Sequence, residues 1–69
     1  MTLHEAMIIA IKKLGGGKQK MTDVANYINK HNLYNRGDST PVPSSQISAR
    51  VHKYPHLFSR GSGSVWLND

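Results

Sequence analysis

Hydroxyl, amide and cationic side chains line one side of the segment Pro43 to Tyr54. If this segment is a helix, Ile47, Val51 and Tyr54 recur at i, i+4 and i+7 and form one apolar face. The outward side has no acidic residue and suits the edge of a base pair or a phosphate group. We therefore predict a recognition helix. Its outward residues are Ser45, Gln46, Ser48, Ala49, His52 and Lys53, with Arg50 on the flank.

Catalysis and metal binding need groupings of side chains that this pattern does not offer. No serine is placed beside an acid–histidine pair, which excludes the common nucleophilic arrangements. His52 and His56 are four residues apart, but Pro55 breaks the helix between them and no cysteine or nearby acid completes a zinc set. We expect no enzyme activity, no metal and no cofactor. The four acidic residues belong to separate predicted elements: Glu5, Asp23, Asp38 and Asp69.

Charge and composition indicate an anionic partner. Nine Lys and Arg against four Asp and Glu give a formal net charge of +5, which in a small domain most often signals nucleic acid. A charge that serves only solubility is the alternative. The absence of cysteine excludes disulfides, and no apolar run approaches the roughly 20 residues needed to cross a bilayer. No leader pattern opens the chain, so we expect a cytoplasmic protein without a membrane partner, associated with the nucleoid if bacterial.

Start and stop signals divide the 69 residues into one domain of alternating element types. Thr2 and Glu5 form a capping box that opens the first helix, and Gly15 closes it. The hydroxyl of Thr22 is expected to cap the second helix, and Asn32 to take the left-handed position after it. The predicted elements are three helices at about 2–14, 22–31 and 43–54, a short strand at about 18–21, a loop at 34–42 and a hairpin at about 57–67.

Two features of the apolar pattern allow more than one arrangement. The first helix buries a stripe that leaves Ile8 and Ile9 outside it. In the hairpin, either Val65 and Leu67 point inward or Trp66 does. The stripe of the first helix consists of Leu3, Ala6, Met7, Ala10, Ile11 and Leu14.

The order helix, strand, helix, helix, hairpin resembles the winged helix-turn-helix class. Within it the chain resembles the HARE-HTH family, found in bacterial restriction systems, the RNA polymerase delta subunit and additional-sex-combs-like chromatin proteins. The resemblance spans nearly the whole chain and implies an α+β winged-helix fold without catalytic residues. It also implies a role in attaching DNA-handling enzymes or chromatin factors to DNA, as part of a restriction, modification or transcription protein. The matching segments are Leu3–Ala6 with Leu14, Met21–Ala25, Pro43–Val51, Phe58–Arg60 and Gly63–Leu67.

These expectations define a DNA-binding surface and a rival. Base edges would be read by Ser45, Gln46, Ala49 and Ser48, since the first residues of a recognition helix enter the major groove. Phosphates would be held by Arg50, Lys53 and Arg60, by His52 when protonated, by Ser62 at the wing tip, and from the flank by Lys18 and Lys20. The alternative is a protein-interaction module of the same fold that uses Ile8, Ile9 and Trp66. A homodimer on a palindromic site also remains open.

Overall fold

The computed structural model describes residues 1–34 and 40–68, a small α+β structure. In these residues three helices accompany an antiparallel sheet with strand order β1-β3-β2. The three helices, the short strand and the hairpin each begin and end within one residue of the predicted position. Residues 35–39, which include Asp38 and most of the predicted loop, lie outside the described residues, as does Asp69. The elements are α1 (Leu3–Lys13), β1 (Gln19–Lys20), α2 (Met21–Lys30), α3 (Ser44–Lys53), β2 (Phe58–Gly61) and β3 (Ser64–Leu67).

Helix α1 begins and ends as its local sequence predicts. The hydroxyl of Thr2 accepts from the Glu5 amide at 3.3 Å, and the Thr2 amide donates to the Glu5 carboxylate at 2.9 Å. Hydrogen bonds from the Thr2 amide and hydroxyl lower the pKa of Glu5 below its ordinary value. After the helix, Gly15 and Gly16 adopt φ of +130° and +82°, and the Gly16 amide donates to the Ile11 carbonyl. The chain can therefore reverse into β1 immediately.

Helix α2 begins differently from the prediction. Its N-terminal cap is Lys20, whose side chain makes no capping hydrogen bond, and Thr22 lies inside the helix. The capping role assigned to Thr22 was therefore wrong, and Met21, assigned to the strand, is the first helical residue. The Met21 amide donates instead to the carbonyl of Gly63 in the hairpin turn, at 3.0 Å. A partner from across the sheet replaces the side-chain cap that an isolated helix would need.

The end of α2 and the entry to α3 are held together by one side chain. Asn32 has φ +51° and the Leu33 amide donates to the Ile28 carbonyl, which confirms the predicted stop. The Asn29 side-chain amide donates to the Val42 carbonyl at 3.0 Å, and its oxygen accepts from the Val42 amide at 2.8 Å. Val42, predicted to be part of a loop, is buried in the core. The amide side chain of Asn29 thus bonds both backbone groups of Val42, as a neighbouring strand would.

The core joins all three helices to the sheet. Leu14 was expected to be buried but is only half-buried at the end of α1. The buried residues are Leu3, Ala6, Met7, Ala10, Ile11, Met21, Val24, Ala25, Ile28, Val42, Ile47, Val51, Phe58 and Val65.

No helix in the described part of the chain is long and apolar enough to cross a membrane.

The register of the hairpin decides which way its side chains point. Arg60 pairs with Val65, and Ser59 pairs with Trp66. Paired residues in an antiparallel ladder share a face, and successive residues alternate between faces. Val65 is fully buried against the helices, so Arg60 lies on the helix side of the sheet and Trp66 on the opposite side. Of the two open arrangements, the one with Val65 and Leu67 inward is observed, although Leu67 is only half-buried.

Candidate nucleic-acid interface

Helix α3 has the rotation that its apolar period predicts. Ile47 is 0% exposed and Val51 4% exposed, so both point into the core. At about 100° per residue, Ala49 then lies diametrically opposite the core. The predicted outward residues fall into two groups. Ser45, Ala49, His52 and Lys53 are exposed, whereas Gln46, Ser48 and Arg50 are half-buried along the edges of the helix.

Both ends of α3 are set by proline and by packing. Pro43 precedes the helix and its carbonyl accepts from the Gln46 amide at 3.0 Å. The helix stops at Tyr54 before Pro55, and the Tyr54 ring packs on His4 of α1 with centroids 4.3 Å apart. No acidic residue lies in the first turn, so no side-chain carboxylate offsets the positive end of the helix dipole there. An anion can approach this end of α3 without a competing side chain from the helix itself.

A cleft of about 400 Å³ separates α3 from the hairpin turn. Ser48 lies on its helix wall and Arg60 and Ser62 on its hairpin wall. Arg60 can line the cleft because it lies on the helix side of the sheet, as the register requires. Two residues with hydroxyl side chains and one arginine therefore line a common space that is large enough for a phosphate group. The lining residues are Met21, Ser48, Arg60, Gly61, Ser62 and Gly63.

The hairpin turn is fixed in position relative to the start of α2. Ser62 and Gly63 both have positive φ, +52° and +80°, the pattern of the tight turns that match the twist of a hairpin. The Gly63 carbonyl accepts from Met21, so the turn is tied to the start of α2. Asp23, exposed in the first turn of α2, adds one negative charge near this junction along the chain. A backbone hydrogen bond thus holds the turn that follows Arg60 against the start of α2.

Lys18 and Lys20 do not join this surface. Lys20 pairs with Ser64, which places it on the side of the sheet away from the helices. The Lys18 ammonium lies over the Trp66 ring, 4.7 Å from its centroid. The structure therefore separates these two predicted residues from Arg60 and α3.

The histidines and the predicted apolar patch take other positions. His4 and His56 both contact Tyr54, and no group of three or more His, Cys, Asp or Glu within the described ranges is placed to hold a metal. Ile8, Ile9 and Trp66 are each half-buried rather than exposed. Among the described residues, the large hydrophobic side chain that is exposed is Met1, at 67%.

Two features of the site were missed from the sequence. The bond from Met21 to Gly63 and the Asn29 hydrogen bonds to Val42 both join residues far apart in the chain. A hydrophobic Val42 between Pro41 and Pro43 was the available signal, since an apolar residue in an extended segment needs a place to be buried.

Comparison with family models, with curated proteins and with solved structures found no match to this chain.

Proposed function

We propose that this chain is a winged helix-turn-helix module that binds double-stranded DNA and carries out no catalysis. In this proposal α2 and α3 are the helix pair, α3 lies in the major groove, and the β2–β3 hairpin is the wing. The supporting observation is the rotation of α3: Ile47 and Val51 are buried while Ser45, Ala49 and Lys53 remain open to a partner. A net charge of +5 suits a polyanion.

Within this proposal the surface divides by chemistry. Ser45, Gln46 and Ala49 lie toward the start and middle of α3 and contact base edges, because these positions of a recognition helix reach furthest into the groove. Gln46 can pair with adenine through two hydrogen bonds, and the Ala49 methyl can contact a thymine methyl. Lys53, Arg50 and Arg60 bind phosphates, which sets position without reading sequence.

The cleft gives the proposal its second point of contact. A phosphate seated there would meet Arg60 on one wall and the hydroxyls of Ser48 and Ser62. Contacts from α3 and from the hairpin would then hold the same duplex from two directions. The HARE-HTH resemblance adds that the module serves a restriction, modification or transcription protein in the cytoplasm. A protein-interaction role through Ile8, Ile9 and Trp66 has less support, because Ile8 and Ile9 are half-buried and the Trp66 ring lies beneath the Lys18 ammonium.

Titration with duplex DNA at low salt, followed by amide chemical shifts, tests the proposal. Shifts should concentrate on Ser44–Lys53 and on the turn Arg60–Ser64. Affinity should fall linearly with salt on a logarithmic plot, with a slope of about 0.9 for each phosphate contact. Uniformly unchanged spectra at high duplex concentration would refute DNA binding.

A charge-matched pair of variants locates the contact. Lys53→Gln with Arg60→Gln should reduce the salt slope by about 1.8, which is two phosphate contacts at about 0.9 each. Lys12→Gln with Lys13→Gln removes the same charge from the exposed last turn of α1 and should leave the slope close to that of the parent. Equal loss in both variants would mean that the charge attracts DNA without a defined surface.

A further inference from the structure

The face of the sheet that points away from the helices has a chemistry distinct from that of α3. It presents two ammonium groups, two hydroxyls, a glycine and an aromatic ring, and none of the described residues on it is acidic. Alternation along each strand and the observed pairing place these residues together. We call this the outer sheet face: Lys18, Lys20, Ser59, Gly61, Ser64 and Trp66.

The Trp66 ring lies on this face and is covered by the flexible side chain of Lys18. Its far edge extends over Gly61, where an added Cβ would come within 3.4 Å of the indole Cη2. On the β1 side, the Lys18 ammonium lies 4.7 Å from the ring centroid. Lys18 is exposed, so its flexible stem can leave the ring without disturbing the core. The ring is thus a platform whose present cover is a cation.

We propose that the outer sheet face binds single-stranded nucleic acid. A base stacks on Trp66 in the position that the Lys18 ammonium now occupies, and Lys18 and Lys20 contact the adjoining phosphates. Cations that follow a backbone beside an aromatic platform are the general means of binding single strands without sequence preference. An acidic peptide would satisfy the two lysines but supply no flat partner for the indole. This face is opposite Arg60 and is independent of the duplex site proposed on α3.

Trp66 is the single tryptophan of the chain, so its emission reports on this face directly. An oligonucleotide of eight thymidines, added at low salt, should quench that emission in a saturable way. A glutamate peptide of equal charge should leave the emission unchanged. Quenching by the peptide but not by the oligonucleotide would overturn the proposal and favour an acidic protein partner.

Paired charge variants test whether the lysines take part. With a fluorescein-labelled oligonucleotide, Lys18→Gln with Lys20→Gln should lower the salt slope by about 1.4, at about 0.7 for each single-strand phosphate contact. The matched variant Lys12→Gln with Lys13→Gln should keep the parental slope. Identical slopes in the two variants would refute the assignment.

The aromatic platform is tested by ring-retaining and ring-removing substitutions. Trp66→Phe should bind the labelled oligonucleotide within about threefold of the parent, whereas Trp66→Leu should weaken binding at least about fivefold, since stacking is lost. Circular dichroism checks that both variants are folded, and if Trp66→Leu is not, the lysine variants decide. Equal affinity of two folded variants would exclude stacking.

Lys53→Gln with Arg60→Gln should keep single-strand binding even if duplex binding is lost. This variant therefore separates failure of the single-strand proposal from failure of the duplex proposal.

Discussion

Asn29 shows how a single polar side chain can set the position of a helix, here α3. Both backbone groups of Val42 bond to its amide, at 2.8 and 3.0 Å. Val42 is two residues before α3 and is buried in the core. The Asn29 side chain therefore provides hydrogen-bond partners for both the amide and the carbonyl of Val42. The same two bonds hold the entry to α3 against α2.

Replacing Asn29 by alanine should therefore destabilise the fold. We expect Asn29→Ala to lower the free energy of unfolding by about 1–3 kcal/mol, because it leaves buried or half-buried backbone groups unpaired. Asn26→Ala, at an exposed position of the same helix, should stay within about 0.5 kcal/mol of the parent. Urea denaturation measures both. Equal stability of the two variants would show that water replaces the Asn29 hydrogen bonds at no cost.

At the scale of elements, the candidate site depends on the angle at which α3 meets the core. Burial of Ile47 and Val51 sets the rotation of α3 about its own axis. Pro43 and Pro55 set the two ends of the helix. The hairpin is held at the other side of the cleft by the bond from Met21 to Gly63. One helix face and one turn therefore define the proposed duplex surface together.

Val51→Asp tests this orientation. A carboxylate at a position 4% exposed would be buried without a partner, and a core of this size rarely provides more than about 3–5 kcal/mol of net stability. We expect the variant to be unfolded at 25 °C by circular dichroism. Ala49→Asp places the same carboxylate on the exposed side of α3 and should fold, while weakening duplex binding through repulsion of phosphates. A cooperative, folded Val51→Asp variant would contradict the observed rotation.

For the whole molecule, small size and excess positive charge both lower the stability of the folded state. A 69-residue chain has a limited core, and five excess positive charges repel one another in the compact state. A bound polyanion would relieve that repulsion and add binding free energy to stability. The proposed function therefore predicts a stability that depends strongly on ligand and salt.

Thermal unfolding with duplex DNA measures this coupling. Duplex at about 100 times its dissociation constant adds about 2.7 kcal/mol, and each kcal/mol raises the Tm of a domain this small by about 4–8 °C. We expect the Tm to rise by at least about 10 °C at low salt. At about 0.5 M salt the rise should be much smaller, because the salt screens the attraction between exposed charges and phosphates. An increase that does not change with salt would contradict phosphate contact.

Local signals in the chain were sufficient to predict most of the secondary structure. The Thr2–Glu5 capping box, the Gly15 and Asn32 stops, and the prolines around α3 act on neighbouring residues, so their effect can be read without knowing the fold. The 3.6-residue period likewise predicted that Ile47 and Val51 are buried. These features followed from the sequence because the interactions that cause them span only a few residues.

The tertiary structure alone decided three features of the candidate sites. Pairing of β1 with β3 gives α2 its first amide partner at Gly63, so Thr22 is not needed as a cap. The Asn29 side chain bonds both backbone groups of Val42, thirteen positions further along the chain. Hairpin register places Arg60 on the helix side of the sheet and Trp66 on the opposite face, and the pairing of β1 with β3 places Lys18 and Lys20 beside Trp66. Each depends on a contact between distant segments, which chain packing creates and local propensity does not encode.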